Sequence, residues 1–525
     1  MELRVIRSSR LPGAGALFSD YLSCAPNVRE FFPRCFQDSA SFSQASAEIR
    51  FPAERRAALV AALAAQNGPH PALDLLARPD TCVVATGQQV GLFTGPAYSV
   101  YKALTAVKLA RRLTDQGLPA VPVFWLATED HDFDEAGHCW VFDADCQPVR
   151  IDSPPPASPN TPVGKVPVAP SAIEAFQLAV DGLPFAAEAV RLVSACCDSS
   201  ASFGDAFRDL LKRLLPADSL LFLDPLAPEI RRLSAPFLAD ALVRAGELVR
   251  LVLQRNQELE KAGYHAQVRV DPQSTLFFLL EQGQRLPIRA AGASFSCERR
   301  RFSIGELSDR AADLSPNALL RPVMQDYLLP TVAAVLGPAE IAYFAQSQVL
   351  YQALLGRMPV VFPRAGFTVL DRRSADRADR YGLTLPDLWL GEAPVQERIA
   401  ACLVPPELHR ATARAKDDVE AALERLRVAL ASFDPTLAEA LERSRRKMLY
   451  QLWRLERKSS SEALRRNERA AILAARLSSL AAPHRRLQER VYSILALVAR
   501  HGPELLPALD SALDLGSPDH RLLVL

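Results

Sequence analysis

Residues 81–135 read TCVVATGQQVGLFTGPAYSVYKALTAVKLARRLTDQGLPAVPVFWLATEDHDFDE, and this stretch decides the fold. Cys82-Val83-Val84-Ala85 is apolar, partly β-branched and too short for a helix, so it reads as a buried strand. A glycine-rich loop follows, from Thr86 to Pro96. Val100, Leu104, Val107 and Ala110 then recur at helical spacing. Pro96 suits the first helical position, where its missing N–H would be unpaired in any case. Gly117 and Pro119 end the helix, and Val121 to Ala127 predicts a second buried strand. Strand, loop, helix and strand within about 45 residues form a parallel-sheet unit.

The same pattern continues outward. Leu220 to Leu223 is another short apolar strand, closed by Asp224-Pro225. Thr331 to Val335, a helix from Pro338 to about Leu355, and Pro359 to Phe362 resume the parallel repeat. Two segments interrupt it. Ser153 to Pro170 is proline-dense and predicts an extended surface connection, followed by helix. From Tyr264 to Ile304, Gln267–Val270 alternates and Leu276–Leu280 follows, with turns at Asp271-Pro272 and Gln282-Gly283. That pattern predicts an antiparallel hairpin or meander. After Pro405 the spacing changes. Val419, Leu423, Leu426, Leu430, Phe433, Leu437, Leu441, Ser444, Met448, Leu452 and Leu455 alternate between three and four apart, the seam of a coiled coil. Asp434-Pro435 predicts a cap and a new helix start. The expected architecture is α/β: a Rossmann-like parallel-sheet core over 1–404, split by insertions at about 151–200 and 264–310, then a helical coiled-coil region over 405–525. An apolar seam of this length needs a partner, which predicts a homodimer; the other reading is an intramolecular bundle. The basic run Arg443 to Lys458 reads as a solvated face or as an aid to binding an anionic nucleotide.

Composition narrows the function. In 525 residues, 61 Lys and Arg oppose 60 Asp and Glu, a formal charge of +1. This balance gives no global pull toward nucleic acid or a membrane. With 49% hydrophobic and 23% charged residues, wholesale disorder is excluded. Nine cysteines without a Cys-x-x-Cys make no disulfide scaffold and predict a reducing, cytoplasmic setting. Residues 1–21 hold no apolar core long enough for a signal peptide.

Three stretches carry candidate chemistry. In the first, Thr86, Gly87, Gln88, Gln89, Gly91, Thr94 and Gly95 form a loop between strand and helix, where backbone can approach phosphate or carboxylate closely. It matches neither the Walker A pattern nor the dinucleotide fingerprint, and the alternative is a tight turn. Lys102 on the next helix reads as a phosphate partner or as surface. In the second stretch, Glu129, Asp130, His131, Asp132, Asp134 and Glu135 crowd one strand end. Such repulsion is unfavourable for stability, and carboxylates there suit Mg²⁺, an amino group, or general-base work beside His131. His131, His138, Cys139 and Cys146 match no common structural-zinc spacing, and no metal ligand set is assigned. The third stretch holds Gly337, Glu340 and Tyr343 at another strand-to-helix junction, with Arg364 after the last strand. Arg364 suits a carboxylate.

These blocks also occur in a familiar order: TGQQVGLFTGPAYSVYK, VFWLATEDHDFDE, GYHAQV, SPNALLRPVMQDYLLPTVAAVLGPAEIAYFAQ, MPVVFPRAGFTVLD and LQER (Leu487 to Arg490). Together they resemble the bacillithiol biosynthesis cysteine-adding enzyme family, BshC, from about Tyr21 to Pro507. Leu336 stands where a glycine is expected, and Ser493 where an asparagine often follows. The resemblance implies a nucleotidylyltransferase-type Rossmann core, two connecting insertions and a dimerising coiled coil. It also implies a ligase that forms an amide (carbon–nitrogen) bond between cysteine and glucosaminyl-malate in the last step of bacillithiol synthesis. A free carboxylate is a poor electrophile, so activation by ATP or a related nucleotide is expected. The glycine loop would then cradle one substrate or its phosphate. Asp130 or Asp132 with His131, beside Glu129, would orient the amine and take its proton, and Arg364 would hold a carboxylate. The rival readings are a nucleotidylyltransferase or amino-acid-activating enzyme on another substrate, and a non-catalytic dimeric scaffold.

Overall fold

The computed structural model describes residues 1–197, 202–292 and 294–525. The end of the first expected insertion, 198–200, and position 293 in the second lie outside the described residues. The chain forms two compact units, one of residues 1–144, 148–369 and 488–525, the other of 145–147 and 370–487. The boundary expected at 404 therefore falls inside the second unit, and the chain after 487 belongs to the first.

The first unit is built on five strands: β1 (Cys82–Gln89), β2 (Ala120–Ala127), β3 (Leu221–Leu223), β4 (Thr331–Leu336) and β5 (Val360–Pro363). They lie in the order β3-β2-β1-β4-β5, and every neighbouring pair is parallel. Burial on both faces explains the apolar runs, since β2 and β4 are buried at every position. Helix α1 (Tyr98–Asp115) connects β1 to β2; α2 (Arg321–Leu328) precedes β4 and α3 (Pro338–Leu355) follows it. The strand order reverses between β1 and β4, which makes the carboxyl ends of these strands the expected ligand crevice.

β1 is longer than its apolar start implies, because Thr86–Gln89 continue the strand and pair with Phe124–Ala127. Gly87 allows this: a side chain there would meet the Trp125 carbonyl oxygen at 2.8 Å. The proline-dense segment is not all surface. Val163 and Val166 are buried, and the Val163 and Gly164 amides donate to the carbonyls of Asp130 and Thr128 just after β2. The second insertion is a five-stranded antiparallel sheet of Ser274–Glu281, Gln284–Ala291, Ser294–Cys297, Arg300–Phe302 and Leu314–Pro316. Gln282 and Gly283 turn its first hairpin with positive φ, as such turns require. The alternating run at Gln267–Val270 is not a strand. The Gln346 side chain takes both the N–H and the carbonyl of Val268, leaving no ladder to join. A small sheet closes the unit, with His520–Val524 between Glu2–Ile6 and Phe367–Leu370. Cys24 and Cys35 form a disulfide, a pairing the cysteine spacing did not single out.

The second unit is helical, with α4 (Glu392–Leu403), α5 (Pro406–Phe433), α6 (Pro435–Arg465) and α7 (Glu468–Ala481). Asp434 caps α6 through the Thr436 amide, as the sequence predicts. α5 and α6 form an antiparallel hairpin laced by Lys416–Glu456 and Arg445–Glu420 pairs at 2.6 and 2.8 Å. Of the expected seam, Leu423 is buried, whereas Leu426, Phe433, Leu437, Met448 and Leu455 are exposed.

Candidate active site

A cavity of about 290 Å³ opens at the carboxyl ends of β1, β2 and β4. Thr86 to Gln89, Trp125, Asp130, Glu135, Gly337 and Glu340 line it, together with Tyr98, Tyr343 and three arginines, Arg321, Arg364 and Arg490. Strand ends from three separate chain segments therefore meet at one hollow. Gln89 also bridges directly to the acidic turn, donating to the Asp132 carbonyl at 3.0 Å.

The expected site residues divide into those that face this hollow and those that hold it in shape. Lys102 is fully buried. It donates to the Gly87 carbonyl, to Gln88 at 3.2 Å and to Glu340 at 2.7 Å. Burial lowers its pKa despite Glu340. It is therefore an internal brace and neither a phosphate ligand nor surface. Glu340 is committed too, since its second oxygen accepts the Gly337 amide at 2.8 Å. The Thr86 hydroxyl donates to the Val335 carbonyl, tying β1 to β4. Gly91, Thr94 and Gly95 do not line the hollow. Thr94 is fully buried, Phe93 packs on Phe176, and the Ala97 amide at the start of α1 donates to the Tyr492 carbonyl. The half of the loop expected to cradle phosphate thus turns inward. Ser493 is buried there as well, donating to the Phe93 carbonyl and capping the following helix. Glu129 is 3% exposed and pairs with Arg231, so it is a structural carboxylate.

Asp130 remains at the hollow. Burial works to raise its pKa, but Arg285 and Arg321 outweigh burial and hold the carboxyl below its ordinary value. His131 is shifted the opposite way to a cation-stabilising site: burial and Arg285 lower its pKa, so the neutral ring dominates. Its Nδ1 lies 3.2 Å from an Arg285 N–H. Arginine can only donate, so Nδ1 accepts and Nε2 carries the proton. His131 is then a donor toward ligand, and the proton-accepting role falls to carboxylates. Asp132 caps the short turn that follows by accepting the Glu135 amide at 3.1 Å. Glu135 lines the hollow, and partial burial with Asp132 and Asp130 nearby raises its pKa.

Arg364 faces the hollow, but it is already paired. It donates to Glu489 at 2.6 Å and to the Ala365 carbonyl at 2.8 Å. Glu489 is itself 2% exposed and also accepts the Phe367 amide. Arg364 and Arg490 both stack on the Tyr98 ring, at 5.2 and 6.0 Å from its centroid. Neither Arg321 nor Arg490 makes an ion pair among the described residues. Sequence reasoning did not single out Arg321, Arg490, Arg285 or Tyr98, and it named Glu135 only as a member of the acidic block. All lie in or beside the quoted blocks except Arg285, whose strand pattern carries no chemical signal. Among the described residues no group of three or more His, Cys, Asp or Glu side chains is placed to hold a metal ion, and no step is derived through Mg²⁺.

Comparisons with known proteins agree with this architecture. Residues 1–365 match the family model described as bacillithiol biosynthesis BshC, N-terminal Rossmann-like domain. Residues 367–525 match the family's C-terminal coiled-coil domain. A relative from Solibacter usitatus is 49% identical over 524 residues, covering 100% of both chains. One from Koribacter versatilis is 34% identical over 98% of both. One from Salinibacter ruber is 29% identical over 96% of this chain and 95% of its own. Each is named "Putative cysteine ligase BshC".

Proposed function

The chain belongs to the bacillithiol biosynthesis BshC family, and on that premise we propose that it joins L-cysteine to glucosaminyl-malate through an amide bond, the last step of bacillithiol synthesis. The observation that carries this reading is that arginines and carboxylates line one strand-end hollow together. The acceptor has two carboxylates on its malate and an amine on its sugar. Arg490 and Arg364 face the first; Asp130 and Glu135 face the second. Glu489 fixes Arg364 while leaving other N–H groups of the guanidinium to donate.

In the reaction, the amine nitrogen bonds to the cysteine carboxyl carbon and loses a proton, and the carboxyl carbon gives up one C–O bond, whose oxygen would leave with the phosphate or nucleotide group that activation supplies. Asp130, ionised at neutral pH, orients the amine. Glu135, whose pKa is raised, is the better proton acceptor of the two. His131 supplies a hydrogen bond through Nε2–H. ATP or a related nucleotide is the proposed activating reagent, since it turns a carboxylate into an electrophile. The inward-turned glycine loop does not fit its phosphates, and no step is assigned through it.

The exposed apolar residues of α5 and α6 support a homodimer. Among the described residues no helix is long and apolar enough to cross a membrane. A cytoplasmic setting is proposed because the substrate is a free thiol, although the Cys24–Cys35 pair is oxidised in this structure. The direct test is mass spectrometry of the purified chain given cysteine, glucosaminyl-malate and each nucleoside triphosphate in turn. A product heavier than glucosaminyl-malate by one cysteinyl group is expected. Its absence with every nucleotide would contradict the reading.

A further inference from the structure

A second, wider opening of about 770 Å³ adjoins the first, and Asp130 and Arg321 line both. The two residues therefore form a partition between two chambers. Asp132, Asp134 and Arg285 line the second chamber with them, and Val268 and Phe278 give it an apolar part.

The commitments of these groups decide what the chamber can take. Arg285 is spent. It donates to Ser315 at 3.0 Å and the Pro316 carbonyl at 2.8 Å, contacts His131 and Asp130, and covers the Phe278 ring at 3.8 Å. Arg321 lies near Tyr343 and Asp130 but makes neither a side-chain hydrogen bond nor an ion pair among the described residues, so its guanidinium is available. Asp134 makes no side-chain hydrogen bond or ion pair among the described residues, and Asp132 spends one oxygen on the Glu135 amide. One available cation and two available anions thus line one space that also has a small apolar part. With Asp130, three carboxylates line the chamber and would repel a nucleotide or a dicarboxylate, whose charges are all negative. A molecule with one carboxylate and one ammonium on the same carbon satisfies both.

We propose that this second chamber is the amino-acid subsite: it takes a zwitterionic α-amino acid with its carboxylate on Arg321 and its ammonium on Asp132 and Asp134. The proposal rests on the ligase reading for the identity of the amino acid as cysteine. It sets the cysteine carboxyl group at the partition, where an amine in the first chamber would reach it. The arrangement also separates the two ammonium-bearing substrates, because only the first chamber adds a second available arginine for a second carboxylate.

Calorimetry on the full chain under reducing conditions tests this, with and without ATP, Mg²⁺ and L-malate. The ligands are L-cysteine, N-acetyl-L-cysteine, L-cysteine methyl ester and L-malate. L-Cysteine is expected to bind at least tenfold more tightly than either blocked derivative. D132N combined with D134N should weaken L-cysteine at least tenfold and change L-malate by less than twofold; R490Q should do the reverse. Equal binding of cysteine and its N-acetyl derivative would overturn the proposal, because the ammonium is then not read. So would a double variant that keeps wild-type cysteine affinity or loses malate in step with cysteine. If the wild-type chain binds no L-cysteine under any condition, the ligase reading fails along with the subsite.

Discussion

Glu129 and Asp130 are neighbours in one acidic block, yet their surroundings give them opposite duties. Glu129 is sealed against Arg231, which also donates to the Ala312 and Leu314 carbonyls. Removing the carboxylate strands a buried guanidinium, a loss of about 3–5 kcal/mol. E129A should therefore lower the denaturation midpoint strongly, as followed by urea unfolding. D130N should leave that midpoint nearly unchanged while lowering turnover. Equal stability of the two variants would contradict this division. His520 gives a pH prediction. Burial outweighs Glu489 and lowers its pKa to about 4, and its Nε2 is bonded to Thr368. Its folded pKa lies below the unfolded value, so the unfolded chain binds the extra proton between about pH 6.5 and about 4. Stability is present above that window and is lost as pH falls through it, by about 3 kcal/mol if the whole shift is expressed. Urea unfolding at pH 7.5 and 4.5 should show a smaller pH dependence for H520N than for wild type. At this scale the sequence was only half legible. Residue type and crowding marked the acidic block, but the partners that sort it lie far along the chain, as Arg231 does from Glu129 and Glu489 from Arg364. Local spacing carries no record of them.

Strands and helices were the most legible level, because apolar runs and helical spacing depend only on neighbours in sequence. The helix Pro338–Leu355 and the βαβ unit at 82–127 lie where the pattern puts them. Misreadings arose where a residue served tertiary contact. Gly87 suggested a loop, but it is a strand residue made necessary by the adjoining Trp125 backbone. G87A should push β1 from β2 at the mouth of the hollow. The expected result is a loss of about 1–3 kcal/mol in urea unfolding, together with weaker L-malate binding by calorimetry. A variant with unchanged stability would show that the strands part without cost. Val268 was misread for the complementary reason: its alternation is real, but Gln346 on α3 captures its backbone groups.

The chain carries a parallel-sheet unit, completed by its own C-terminal segment, and a helical hairpin with several exposed apolar residues. Phe433 is 83% exposed and Leu455 59%. The return of residues 488–525 to the first unit was not legible, because the seam spacing fades into ordinary helix without a marker of where the chain reverses. Its consequence is functional, since only that return brings Arg490 to the hollow and Glu489 to Arg364. If the hairpin supports a homodimer, light scattering should give twice the 57.5 kDa chain mass, and F433E with L455E should give the monomer mass. A wild-type monomer at micromolar concentration would contradict it. The most direct measurement of the central claim is a crystal structure of the full chain with glucosaminyl-malate. The account predicts malate carboxylates within about 3 Å of Arg364 and Arg490, and the sugar amine at a similar distance from Asp130 or Glu135. Ligand bound away from the ends of β1, β2 and β4, or held with its amine turned from both carboxylates, would contradict it.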